Sequence, residues 1–426
     1  MPVVALALGS YRGGLFAQYS LFAGATALLA FVWGVCGILS FAQAVPFGIG
    51  AYATGWFSLR EGGWGCLAGL GVGLLVAAAV CLIVGLIGLR RKFEVITFAL
   101  VTFLVVLAAQ QLVNQWTGIT GGFDGLNSIP TLHVGRVFLS GTAQQVVVCA
   151  VVALVLLVLA LLTRSPLGAA MMMVRDHPRR AAALGYNVPA IRIGVFTFAG
   201  LATGLLGGLY ATQAHSVTGN TIDLALATNF VVWATLGSRG TIAGPFLVAL
   251  LVNYVGNEFT DHADYWLLAI GALFTAAVVL FPRGAAAALA AALPEPLRAP
   301  HPVRLSTPTG TRTLADGRQP AGAALAVTGV SCRFGPFVAV DDVHLRIPAR
   351  GVHCLIGPNG AGKSTLLDIV SGFTRAAGGR WAVGGRDIGG AAPWTIARAG
   401  VARKFQSPAV APALTVGQNL VLACFG

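Results

Sequence analysis

Nine consecutive residues hold the sharpest chemistry in this chain: Gly357, Pro358, Asn359, Gly360, Ala361, Gly362, Lys363, Ser364 and Thr365. They fit the pattern G-x-x-x-x-G-K-[ST]. Glycines at 357, 360 and 362 let the backbone turn tightly, so that its N–H groups point inward at phosphate oxygens. A helix starting at the end of such a loop adds partial positive charge. Lys363 is placed to reach β- and γ-phosphates, and Ser364 to ligate Mg²⁺. A Gly-rich turn without a ligand is the competing reading, and the surroundings oppose it. A strand is expected at Val352–Ile356, leading in, and an apolar helix over Thr365–Val370, leading out. The loop reads as a nucleotide site.

The elements that must position this loop belong to a chain of two characters. Of 426 residues, 56% are hydrophobic and only 10% charged, with a mean hydropathy of +0.81. A soluble domain carries roughly 25% charged residues, so the balance points to a bilayer. Apolar segments lie at 15–34, 38–59, 66–89, 93–113, 144–163, 190–214, 222–237, 239–257 and 264–282. Stretches near 20 residues can cross a ~30 Å hydrocarbon core. The first two segments are separated only by Gly34–Gly37 and one could be re-entrant, so the spacing predicts eight to ten spans. Met1–Gly9 lacks the basic start of a cleavable signal.

The net charge of +13 could indicate nucleic acid, but the basic residues recur between apolar blocks, as orientation signals do. One cluster is Arg90, Arg91 and Lys92; another holds Arg164, Arg175, Arg179, Arg180 and Arg192; a third begins at Arg283. All belong on the cytoplasmic side, which leaves 114–142 as an outer loop. No nucleic-acid partner is expected; membrane lipid is. Gly200, Gly204, Gly207 and Gly208 have the small-xxx-small spacing of close helix packing in lipid. Seven scattered cysteines without a CxxC pair do not form a disulfide or metal framework.

The expected fold is therefore mainly α: a polytopic transmembrane helical bundle over residues 1–284, then a linker over 285–324 rich in Pro and Ala. From 325 to 426, short strands at Ala326–Val330 and Val343–Ile347 and the phosphate loop indicate part of an α/β P-loop NTPase domain.

The loop's wording resembles the Walker A loop of ABC transporter ATPases. Phe334, in Cys332-Arg-Phe-Gly-Pro, stands where that family stacks an aromatic ring on adenine. Gln406, in Arg403-Lys-Phe-Gln-Ser-Pro, matches the Q-loop glutamine that approaches Mg²⁺ and the attacking water. Leu414-Thr-Val-Gly-Gln-Asn-Leu resembles the family's "LTV-EN-L" helix start. The resemblance implies ATP and Mg²⁺ as cofactors. It covers only the front of that domain. No LSGGQ-like signature, no apolar strand ending in Asp-Glu and no switch histidine occur here, so the chain alone is expected to bind ATP without hydrolysing it.

Residues 15–284 resemble permeases of the branched-chain amino acid and urea/amide uptake group. Leu39-Ser-Phe-Ala-Gln-Ala-Val-Pro-Phe-Gly-Ile-Gly-Ala-Tyr52, Phe93-Glu-Val-Ile-Thr-Phe-Ala-Leu100, Trp116-Thr-Gly-Ile-Thr-Gly-Gly122, Leu236-Gly-Ser-Arg-Gly-Thr-Ile-Ala-Gly-Pro245 and Phe281-Pro-Arg-Gly284 each resemble a block of that family. Residues 164–188 match the cytoplasmic loop that docks on the ATPase, with Arg175, Asp176 and Gly185 on its pattern. Pro178 departs from it, standing where the family often has Glu. A basic loop that serves only orientation is the competing reading.

The resemblance implies a subunit of an ATP-driven importer in the bacterial inner membrane, with its ATP-binding part cytoplasmic. It would work with a second permease subunit, a complete ABC ATPase subunit and a periplasmic solute-binding protein. Gly185-Tyr-Asn, the turn from Val232-Trp-Ala to Arg239-Gly-Thr, Leu251-Val-Asn-Tyr and Arg403-Lys-Phe-Gln lean towards urea-type members, while the commoner members move leucine, isoleucine and valine. Two other readings stay open: a passive channel that senses nucleotide, and a truncated, non-functional fusion fragment.

Overall fold

The computed structural model describes residues 1–2, 9–61, 63–89, 95–135, 137–139, 141–238, 240–260, 271–272, 276, 323–349, 351–405 and 410–425. The basic cluster at 90–92, nearly all of segment 264–282, Phe281–Gly284, the linker up to 322 and Gln406 lie outside them. The chain divides into two compact units: residues 1–171 with 189–303, and residues 172–188 with 304–426.

In the first unit the apolar runs become helices, because away from water a segment must pair its own backbone N–H and C=O groups. Helices α1 (Gly9–Cys36), α2 (Ala44–Arg60), α3 (Gly65–Gly88) and α4 (Val95–Gln115) come first. A short α5 (Thr117–Thr120) and strands β1 (Leu126–Asn127), β2 (His133–Val134) and β3 (Val137–Phe138) follow. Then come α6 (Gly141–Arg164), α7 (Pro166–Asp176), whose last residues already belong to the second unit, α8 (Pro178–Ala183), which lies wholly in the second unit, and α9 (Val188–Ala214), which returns to the first. Strand β4 (Ser216–Val217) pairs with β1, and α10 (Leu224–Leu236) and α11 (Ala243–Thr260) complete the series.

Five of these helices, α1, α3, α4, α6 and α9, are long and apolar enough to cross a membrane. The expectation was eight to ten spans, and among the described residues only these five reach full length. Helix α10 has 13 residues, about 20 Å at 1.5 Å per residue, short of a ~30 Å core. Helix α2, with 17 residues, also falls short.

Helix α1 is the hub, with 83% of its apolar window buried against 22% in α3, α4 and α6. It packs on α6, α10 and α11. The narrow gap between the first two apolar segments becomes a buried, non-helical stretch from 37 to 43. Side chains supply its missing backbone partners: the Phe41 N–H donates to Thr102 Oγ1 (3.0 Å) and the Ala42 N–H to Ser40 Oγ (3.1 Å). Gln43 donates its amide to Thr203. Irregular backbone at membrane depth needs such partners from the protein itself.

The glycines of α9 pack as their spacing predicts. A Cβ on Gly200 would overlap Cys81, one on Gly204 would sit 2.7 Å from the Ala77 Cβ, and one on Gly207 would overlap the Phe47 carbonyl oxygen. Gly208 meets Leu70 and Thr54. This stripe is therefore the seam between α9 and the pair α2–α3.

The second unit contains β5 (Ala323–Phe334), β6 (Phe337–Pro348), α12 (Lys363–Val370), β7 (Gly378–Val383), β8 (Arg386–Asp387), α13 (Pro393–Arg398) and α14 (Val416–Phe425). Its sheet runs β6-β5-β7-β8, antiparallel at every pairing. The strands expected at Ala326–Val330 and Val343–Ile347 lie within the longer β5 and β6, which a tight turn joins into a hairpin with Phe334 opposite Phe337. Val327, Val330 and Trp381 of the sheet pack on Leu366 and Ile369 of α12 and Ile396 of α13.

One expected strand is absent. Residues 352–358 join no sheet, and Val352 and Ile356 are 94% and 88% exposed. A strand exists only when a neighbour takes its N–H and C=O groups, and no described segment lies alongside this one in a ladder. Its apolar residues satisfy the composition of a buried strand without the pairing.

Candidate functional site

The phosphate loop is the best-formed candidate site. Gly357, Gly360 and Gly362 all have positive φ, at 156°, 86° and 77°. Gly362 is the critical one. It caps the start of α12 in the left-handed region, where a side chain is disfavoured. A Cβ there would also collide with the Ala339 carbonyl of β6. Strand β6 thus fixes where the loop ends and where α12 begins. The Leu366 N–H already bonds the Gly362 carbonyl at 2.9 Å, which closes the first helical turn.

Lys363 is the first residue of α12, and its Nζ donates to the carbonyls of Gly357 (2.8 Å) and Pro358 (2.6 Å). The amine therefore lies across the mouth of the loop, held among the described residues by neutral acceptors that phosphate oxygens can replace. No acidic residue sits in the first turn of α12, so nothing there cancels the positive end of the helix. Ser364 is exposed at this terminus, Thr365 half-buried behind it, and Pro358, Asn359 and Ala361 are exposed along the loop. The donor set fits a nucleotide polyphosphate: the backbone N–H groups at the start of α12, one amine and one hydroxyl.

Phe334 ends β5 and is exposed, opposite Phe337. The same hairpin supplies Ala339 and Val340 against Gly362, so it connects Phe334 directly to the phosphate loop. Gln406 lies outside the described residues, although the approach to it is well defined. Arg403 Nη1 lies 2.5 Å from Asp368 Oδ1 and donates to Ser371 Oγ at 2.6 Å. Its guanidinium also sits over the rings of Phe373 (5.5 Å) and Phe405 (5.2 Å). The segment entering position 406 is thereby anchored to the far end of the phosphate-loop helix. Sequence reasoning quoted Arg403 only as part of a motif and missed this role. The available signal was Asp368, the one carboxylate on α12.

The loop 172–188 belongs to the same compact unit as the phosphate loop. Arg175 and Asp176 form an ion pair with each other (Nε–Oδ1 2.7 Å). Pro178, which departs from the expected pattern, stands at the first turn of α8, where its missing N–H costs nothing. Gly185 has φ +94° and turns the chain after α8. Helix α8 packs on α13, and the Tyr186 hydroxyl donates to the Leu422 carbonyl of α14 at 3.0 Å. Arg175, Asp176 and Gly185 thus shape the loop, while Tyr186, quoted only as a hint about the solute, makes the distant contact.

A bundle of apolar helices with an exposed, Lys-bearing phosphate loop on the same chain defines a multi-pass membrane permease joined to a nucleotide-binding segment. The comparisons place it more closely. Residues 15–281 match the branched-chain amino acid transport system permease component family, and residues 340–424 match the ABC transporter family. The chain belongs to the branched-chain amino acid transport permease family and carries part of an ABC-type domain, whose nucleotide is ATP.

Its ATP-binding segment is similar to the high-affinity branched-chain amino acid transport ATP-binding protein BraF of Pseudomonas aeruginosa, 39% identical over 99 residues. It is similar also to LivG of Salmonella typhimurium, a protein of the same description, at 41% over 99 residues. Each match covers 23% of this chain and 39% of the relative. A ribose import ATP-binding protein, RbsA 1 of Rhizobium johnstonii, is 37% identical over 95 residues, covering 22% of this chain and 19% of the relative. The chain thus spans about two fifths of the length of the first two relatives.

Proposed function

We propose that this chain is the permease and ATP-binding subunit of an ATP-driven importer in the bacterial inner membrane. The observation that carries the proposal is the presence, in one compact unit, of the phosphate loop and of the permease loop 172–188. A passive channel has no use for that arrangement. ATP would lie along Gly357–Thr365 with its adenine against Phe334. Lys363 would exchange the Gly357 and Pro358 carbonyls for β- and γ-phosphate oxygens. Ser364 and Gln406 would hold Mg²⁺, which supplies charge neutralisation between those phosphates when bound.

Movement would pass through α8, with Arg175, Asp176 and Gly185 setting the shape of the loop. A second permease subunit, a complete ATPase subunit and a periplasmic solute-binding protein would complete the system. The names of the similar ATP-binding proteins favour branched-chain amino acids as solute. The details around Gly185, Val232 and Leu251 favour urea or short amides. Uptake of labelled leucine and labelled urea into cells expressing the whole system, with and without Lys363→Ala, tests both points. Uptake of one solute, reduced by the substitution, is expected. Uptake of either solute at equal rates with and without it would overturn the ATP-driven reading.

A further inference from the structure

Tyr186 and Leu422 are 236 residues apart, yet the phenol of one bonds the carbonyl of the other. The acceptor is not arbitrary. Leu422 lies in the last turn of α14 (Val416–Phe425), where helix carbonyls have no intrahelical N–H to accept from. Tyr186 satisfies one of them. Its own position is tightly set. The Tyr186 N–H returns to the Ala181 carbonyl (3.0 Å) and the Gly185 N–H to that of Ala182 (3.1 Å), so the turn after α8 aims the ring. Ala181 and Ala182 are buried, and side chains this small let α8 lie close on α13.

We infer that the ATP-binding segment docks in cis, on the permease loop of its own polypeptide, with the Tyr186 hydroxyl as the latch on α14. The inference rests on the importer reading above and adds to it a fixed pairing. The nucleotide state of residues 323–425 reaches this chain's own permease, and a second permease must be served by the separate ATPase subunit. Joining loop and segment on one chain raises their effective concentration to about the millimolar range, which favours cis over exchange between copies.

The test uses the full chain in membranes. Two differently tagged copies are co-expressed, each tagged at both ends, with a photo-crosslinking amino acid at Ala183 and a protease site within 285–322. Illumination followed by cleavage should leave permease and ATP-binding fragments joined, with both tags from the same copy. Joined fragments carrying tags from two copies would overturn cis docking, and so would fragments that separate fully. In parallel, Tyr186→Phe should lower hydrogen-exchange protection of 178–186 and 416–422 about five-fold, one hydrogen bond's worth. Unchanged protection would remove Tyr186 as the latch. ATP binding by the unsubstituted chain is measured in the same membranes. Its absence would count against the importer reading, whereas a trans product with ATP bound would count against cis docking alone.

Discussion

Replacing Gly207 by alanine tests the helix seam that organises the membrane unit. A Cβ at 207 would overlap the Phe47 carbonyl oxygen and lie 2.6 Å from its carbonyl carbon and 2.9 Å from its Cα. These are backbone atoms, so no rotamer change relieves the clash and α9 must move away from α2. That movement also loosens the neighbouring fit of Gly204 on Ala77. Overpacking of this kind costs roughly 1–3 kcal/mol, while alanine returns up to about 1 kcal/mol through helix propensity. With the full propensity gain the net loss is roughly 0–2 kcal/mol.

Gly194 supplies the control on the same helix. Nothing lies within 4 Å of a Cβ built there, so Gly194→Ala keeps only the propensity gain. The propensity gain is common to both variants, so they should differ by the overpacking cost of about 1–3 kcal/mol. At roughly 2–4 °C per kcal/mol, that is a gap of about 2–12 °C in Tm. Thermal unfolding of the detergent-purified chain, followed by size-exclusion chromatography, measures it. Equal melting of the two variants would refute the close approach of α9 to α2.

Lys363→Ala should weaken ATP binding by about 10- to 100-fold, since each charge-assisted phosphate contact is worth roughly 1.5–3 kcal/mol. Equal affinity of the two forms in a filter-binding assay would contradict the nucleotide site. Arg403→Ala should destabilise the ATP-binding segment by about 1–3 kcal/mol, because it strips Asp368 and Ser371 of one shared partner. Arg403→Lys should recover little of this, as an ammonium cannot reach both acceptors and stack on Phe373 and Phe405. Hydrogen exchange over 363–371 reads both variants. A cysteine replacing Phe123, exposed in the 114–142 loop, should react with impermeant maleimide from outside the cell, and one at Arg175 only with a permeant reagent. The opposite pattern would invert the topology.

The sequence by itself determined whatever a contiguous segment decides. The phosphate loop is legible because nine adjacent residues supply its turns, its amine and its hydroxyl. The apolar runs became helices because a segment in lipid must pair its own backbone groups, and the spacing of Gly200, Gly204, Gly207 and Gly208 announced a packed face without naming its partner. Tertiary structure decided the rest. Residues 352–356 have a strand's composition, yet strand identity belongs to a pair, and no described neighbour completes it. The 37–43 break could be read as a short connection, but its burial depends on Thr102 and Thr203, which lie far along the chain. Arg403 on Asp368 and Tyr186 on Leu422 were invisible for the same reason. Periodicity and motif spacing report what a residue does with its near neighbours, whereas a hydrogen bond across 236 residues exists only once the chain has folded.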